Sequence, residues 1–281
     1  MRLTYGAFAP LASFWAAGFD AARPVITKNE TFIPVTTSID PSEVEKFSKI
    51  AAEWWDPKGK FRPLHKFNPV RLAFIRDRIC EQFGRESHQR NSLAGLRILD
   101  VGCGGGLVSE PMARMGAAMT SIDASERNIK TALTHAKQSG LEIDYRHSTI
   151  EDLVAQKEPP FDVVLNLEVV EHVANVEQFL EDSAVLVRPG GLMILATINK
   201  TVKALLTAKI TAEYILRWLP PGTHDPSKFV TPDTASAPMK RAGLDVDPPY
   251  GVSYNPLSDQ WRIGSDASVN YMLVARRPAA N

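Results

Sequence analysis

Apolar positions along the chain follow two periods. Short runs rich in apolar and β-branched residues predict strands around Ile98, Leu99 and Val101, over 119–122, 161–167, 192–198 and 269–275, with a more polar one at 143–147. Helical spacing falls between them, over 107–115, 126–139 and 232–242, and Gly116 and Gly140 suit left-handed caps after the first two. Ahead of the first strand, Ser38 or Asp40 can cap a helix striped with Val44, Phe47, Ile50, Ala51, Trp54 and Trp55. Asp56-Pro57-Lys58-Gly59 stops it, a second helix leads on to about Phe83, and 84–95 reads as a polar loop. This alternation predicts an α/β fold: a doubly wound, mostly parallel, Rossmann-like sheet with an N-terminal helical cap and a helical insertion before the last strands.

The first strand runs into Asp100-Val101-Gly102-Cys103-Gly104-Gly105-Gly106. Glycines there permit a tight turn into the next helix and leave the backbone open to a ligand. A dinucleotide fingerprint would need a third glycine where Leu107 stands. The pattern D-x-G-x-G-G-G instead resembles motif I of the class I S-adenosylmethionine-dependent methyltransferases. Asp123 ends the second strand about 20 residues past the turn, where a carboxylate can accept both hydrogen bonds of a ribose diol. Ile150, after the third strand, stands where an adenine could pack, though a lone isoleucine is more often core.

Composition changes the picture little. The chain has 281 residues, 44% hydrophobic and 23% charged, as in an ordinary globular protein. Basic and acidic residues balance at 32 each, so no global charge draws it to nucleic acid. Cys80 and Cys103 lack metal-type spacing and read as free thiols in a reducing compartment. No run is long enough to span a bilayer. Residues 1–37 stand apart: they are read as a variable leader, whether signal peptide or presequence, or as a mis-assigned start, the true one lying near Val35.

A second constellation follows the fourth strand: Glu168, Glu171 and His172. On a helix the three would share one face. They could ligate a divalent cation, magnesium from the carboxylates with the imidazole leaning toward manganese or zinc. They could equally form an acidic first helical turn. Residues 202–219 mix apolar side chains such as Leu205, Ile210 and Trp218 with Lys203, Lys209 and Arg217, and Glu213 is their one acid. Such a segment suits a helix lying in an anionic interface, or a packed lid.

Taken with Trp54-Trp55-Asp56, Pro63-Leu64-His65, Asn68-Pro69-Val70-Arg71, Gly222-Thr223-His224-Asp225, Tyr254-Asn255-Pro256 and Asn270-Tyr271-Met272-Leu273, these motifs resemble the ubiquinone biosynthesis O-methyltransferase family over about 38–276. The longer polar loop at 84–95 departs from the family. The resemblance implies methylation of polyprenylated catechols, at two steps of ubiquinone assembly, by S-adenosylmethionine. It puts cofactor contacts on Arg71, Gly102, Asp123 and Leu167, to which the turn adds Asp100 and Gly104. It puts magnesium at Glu168, Glu171 and His172. Arg71 would pair with the methionine carboxylate, which suits its forked guanidinium. The phenol is then deprotonated either on the metal or by a general base, His172 or His224. Domains follow: 38–281 as the methyltransferase domain, with 38–95 as cap, 96–198 as cofactor-binding core, 199–226 as insertion and 227–281 as C-terminal strands and substrate side. Expected partners are the polyprenyl catechol, an anionic membrane surface and other enzymes of ubiquinone synthesis. The expected location is cytoplasmic and peripheral on the inner membrane, or the matrix face of the mitochondrial one.

Overall fold

Arg97–Val101 forms β1 at the centre of the sheet, because its side chains find apolar partners on both faces. Ile98 packs on one side with Met112, Val163 and Ile194, while Leu99 and Val101 pack on the other with Leu153, Val164 and Phe179. The structure, a computed structural model, describes residues 37–201, 228–255 and 257–280. The leader, most of the insertion, and His224 with it, lie outside the described residues.

Strands β2 (Ala118–Asp123), β3 (Asp144–His147), β4 (Phe161–Leu167) and β5 (Val187–Ile198) join β1 in parallel. Beyond β5 the sheet turns antiparallel. β9 (Asn270–Arg276) pairs with β5, with the short β6 (Asp245–Val246) and with β7 (Tyr250–Asn255), and β7 carries β8 (Gln260–Gly264). The order is β3-β2-β1-β4-β5-β9-β7-β8. Each expected strand is present; the hairpin β7–β8 and the short β6 are additions.

Helices α3 (Ser109–Arg114) and α4 (Glu126–Gln138) fall where helical spacing predicts them, as does α7 (Pro232–Arg241). α5 (Ile150–Ala155) and α6 (Val176–Val185) complete the crossovers, α5 opened by a capping box between Thr149 and Asp152. In the cap, α1 (Pro41–Lys49) is shorter than its apolar stripe: the chain leaves it at Ile50 for a 3₁₀ turn, Ala51–Glu53, that redirects Trp54 and Trp55. α2 (Arg62–Gln82) runs through Pro69. Burial of Phe67, Ile75 and Ile79 against the sheet offsets the lost backbone bond.

Chain order reverses between β1 and β4. At their carboxyl ends an open α/β sheet leaves a crevice, which fixes where the site lies before any side chain is considered.

Candidate active site

The crevice begins at the glycine turn. Gly102 has φ +68° and Gly104 φ +55°, left-handed conformations that favour glycine, and a Cβ on either would collide with Val169 or Trp54. Asp123 pins this turn. Its Oδ2 accepts from Gly104 N at 2.9 Å, and its Oδ1 accepts from Ser125 N at 2.8 Å and Asn128 Nδ2 at 3.1 Å. A carboxylate has about four acceptor positions, so three internal donors leave one, on Oδ2. Two hydrogen bonds to a ribose diol, as expected from sequence, therefore require Asn128 to yield its place. Burial raises the Asp123 pKa, against the pull of these donors.

Gly102, Gly104, Asp123, Ile150, Glu168 and His172 line one open pocket. Val101 and Ile122 supply apolar wall, and Ser38, Asp40, Glu43, Val44, Phe47 and Trp54 come from the cap. Trp54 is the cap's anchor. It stacks on Phe61 with centroids 3.7 Å apart, donates from Nε1 to Asn128 Oδ1 at 2.9 Å and lies over Gly104 and Gly105. Trp55 donates to the Gly105 carbonyl at 2.8 Å and stacks on His135. Trp54, Asn128 and Glu43 are the site residues that sequence reasoning passes over. The paired tryptophans are visible in the sequence, but core packing is the ordinary reading of such a pair.

Four expected residues do not line the pocket: Arg71, Asp100, Leu167 and Glu171 are buried beside it. Leu167 belongs to the sheet core. Asp100 accepts from Ser109 Oγ at 2.6 Å, and burial pushes its pKa up to about 6. Arg71 is 3% exposed; it donates to Asn68 Oδ1 while its Nε has no partner. Burial lowers the pKa of this guanidinium, and Glu168 and Asp100 oppose the shift. A buried guanidinium with an unused donor is suited to a carboxylate.

Glu168, Glu171 and His172 do not form the helical face expected of them. β4 ends at Leu167, Glu168 takes φ +56°, and only Val170–His172 make a 3₁₀ turn. With Glu168 left-handed and the helix one turn long, the i, i+3, i+4 geometry is lost. Glu168 stands at the pocket wall, where burial and the adjacent Glu171 raise its pKa to about 8. Glu171 accepts from Thr197 Oγ1 at 2.8 Å, and His172 Nδ1 meets Glu43 Oε2 at 3.0 Å. Among the described residues no three histidine, cysteine or carboxylate side chains converge as a metal site. These residues as arranged do not fit magnesium.

The sequence matches the model of a methyltransferase domain over 99–195, from β1 through β5. It is 60% identical over 242 residues to the ubiquinone biosynthesis O-methyltransferase of Maricaulis maris, covering 86% of this chain and 94% of that one. To the protein of the same name from Sinorhizobium fredii it is 58% identical over 242 residues, 86% and 97% of the two chains. Among solved structures, it resembles the plantazolicin methyltransferase BpumL with S-adenosylhomocysteine (TM-score 0.55, 14% identity, 84% of this chain and 99% of that one). Magnesium protoporphyrin IX methyltransferase from Synechocystis is similar in fold (TM-score 0.53, 18% identity, 82% and 99%).

Proposed function

The chain belongs to the ubiquinone biosynthesis O-methyltransferase family, and from that membership we propose that it methylates a polyprenylated catechol at a phenolic oxygen, with His172 as the general base. It is an S-adenosylmethionine-dependent O-methyltransferase. The observation that carries the reading of the site is the pocket itself, which joins the glycine turn and Asp123 on one side to His172 on the other.

The residues present fit the cofactor. The left-handed turn at Gly102 and Gly104 on the pocket wall, the remaining acceptor on Asp123, apolar Ile150 and the unused donor of Arg71, buried beside the pocket, suit methionine chain, ribose, adenine and carboxylate in that order. When bound, S-adenosylmethionine supplies a methyl group on a sulfonium, ready for in-line displacement. The protein must align the nucleophile and remove its proton. A phenol titrates near pKa ~10, so at neutral pH it arrives protonated. His172 at the pocket wall is the group that accepts this proton. No step is assigned to magnesium, because Glu171 and His172 are engaged by Thr197 and Glu43.

A short-chain polyprenyl catechol with labelled cofactor tests this directly. His172→Ala should lose turnover while keeping cofactor affinity, and wild type should turn over equally after exhaustive chelation. Activity that vanishes on chelation and returns with magnesium would replace the base by the metal.

Among the described residues no helix is long and apolar enough to cross a membrane. Peripheral docking rests on the composition of 202–219, outside the described residues. Lys203→Glu with Lys209→Glu should reduce flotation with anionic liposomes, each charge being worth about 1 kcal/mol near such a surface. Wild type that ignores these liposomes would leave the segment as a lid.

A further inference from the structure

His172 does not stand alone at the pocket wall. Its Nδ1 lies 3.0 Å from Glu43 Oε2, and its ring meets the edge of Phe47 at 4.9 Å and 78°. Both partners are on α1, in the cap. The carboxylate is fixed through its other oxygen as well: Oε1 accepts from Lys228 Nζ at 3.1 Å, and the same ammonium donates to Asp40 Oδ2 at 2.8 Å. Lys46 Nζ stands 3.6 Å from Oε2. The side chains of Glu43 and His172 are 15% and 17% exposed, so solvent competes weakly for the contact.

The cap is stitched to the residues flanking this histidine. Ile39 pairs antiparallel with Val173, and Ala174 N donates to Ser38 O at 2.7 Å. α1 thus reaches the turn after β4 by backbone and by side chain at one place.

An ionised carboxylate accepts hydrogen bonds and cannot donate them. His172 facing one must carry its hydrogen on Nδ1. A glutamate side chain is ionised at neutral pH, and Glu43 keeps the Lys228 ammonium on its other oxygen. Among the described residues Nε2 has no hydrogen-bond partner.

We propose that Glu43 is a positioning residue for methyl transfer: supplied by the cap, it fixes His172 with Nδ1 protonated and leaves Nε2 as the acceptor for the phenolic proton. This rests on His172 being the base. In the step, the phenol O–H bond breaks as an N–H bond forms at Nε2. The oxygen's electron pair makes the new O–CH₃ bond, and the pair of the broken C–S bond stays on sulfur. The imidazolium then releases its proton to water. The site is therefore incomplete until α1 docks, because one half of the pair lies in the cap and the other in the core.

The test begins on the wild-type protein, so folding of a variant does not enter. Imidazole ¹⁵N NMR should find His172 with hydrogen on Nδ1; hydrogen on Nε2 instead overturns the inference. Glu43→Gln should mix the tautomers and lower kcat about 10²-fold, the scale of general base catalysis, with KM and cofactor affinity near wild type. Glu43→Asp should recover part of the loss. Wild-type kcat in Glu43→Gln, alongside an inactive His172→Ala, refutes the role of Glu43 and leaves the base in place. Full activity in His172→Ala removes the base reading itself.

Discussion

Helix α1 of the cap and the sheet are held by different balances of force. In the sheet, Leu165, Met193, Ile194 and Leu273 are fully buried, and apolar layers cover both faces of β4 and β5. In the cap, α1 has no buried residue. Phe47 and Ile50 pack only half-buried against the Trp54–Phe61 cluster, and directional contacts add the rest: Glu43 and Asp40 on Lys228, Ser38 N on Glu151 at 2.6 Å, Trp54 on Asn128 and Trp55 on Gly105. Buried area supplies stability without regard to angle, whereas hydrogen bonds and ion pairs place a group to a fraction of an ångström and yield to pH and salt. The sheet therefore fixes where the pocket is. The cap fixes which groups face it.

Breaking the sheet should cost most. Leu165→Ala removes a fully buried side chain between β4's neighbours, and about 2–5 kcal/mol of global stability should go with it. Urea unfolding should show the midpoint falling with the slope unchanged. A loss confined to the cap's amides in hydrogen exchange would reverse the comparison.

Asp123→Ala acts at the seam. It frees Gly104 N and Asn128 and removes the acceptor offered to a ribose, at about 1.5–3 kcal/mol per charged hydrogen bond. Calorimetry should show cofactor affinity falling by at least tenfold. Unchanged affinity would take Asp123 out of the cofactor site.

pH should separate the two regions in opposite directions. Glu43 has its pKa drawn from 4.5 down to about 2 by the His172 contact, and Asp40 is lowered too, chiefly by Lys228. The folded cap thus binds fewer protons than the unfolded chain, and this stabilisation is present above about pH 4.5 and lost as pH falls toward 2. At the carboxyl ends of β1 and β4, burial raises Asp100 from 3.8 to about 6, and burial with the adjacent Glu171 raises Glu168 from 4.5 to about 8. There the folded state keeps its protons longer, so that contribution is full below the ordinary values and lost as pH rises through about 6 and then about 8. Exchange of amides 41–53 should quicken in acid before the sheet opens, while the urea midpoint should slip as pH rises from 6 to 8. One transition shared by cap and sheet at every pH would erase the distinction.

The smallest effect is expected from Lys228→Met. Its two ion pairs are partly exposed, so the loss should be no more than about 1 kcal/mol. It should appear as faster exchange in α1, and added salt should reproduce it in wild type. A large fall in the urea midpoint would make Lys228 part of the global fold.

Local sequence decided a great deal here. Periodicity gave the parallel strands and two of the four crossover helices, α3 and α4, since a run buried on both faces must be apolar throughout and a half-buried helix must repeat every turn. The glycine turn and Asp123 could be read because a left-handed turn and an acid ending the next strand are short-range requirements. Tertiary structure alone decided the rest. Trp54 lies over the glycine turn because a 3₁₀ turn redirects the chain after α1. Asp123 has only one acceptor left on Oδ2 because Gly104 N reaches it from 19 residues away. Glu168, Glu171 and His172 part company because a left-handed residue ends β4 where their spacing suggests a helix. Glu43 meets His172 from 129 residues away. Such contacts leave no period in the sequence, because they are set by where the crossovers and the cap return the chain.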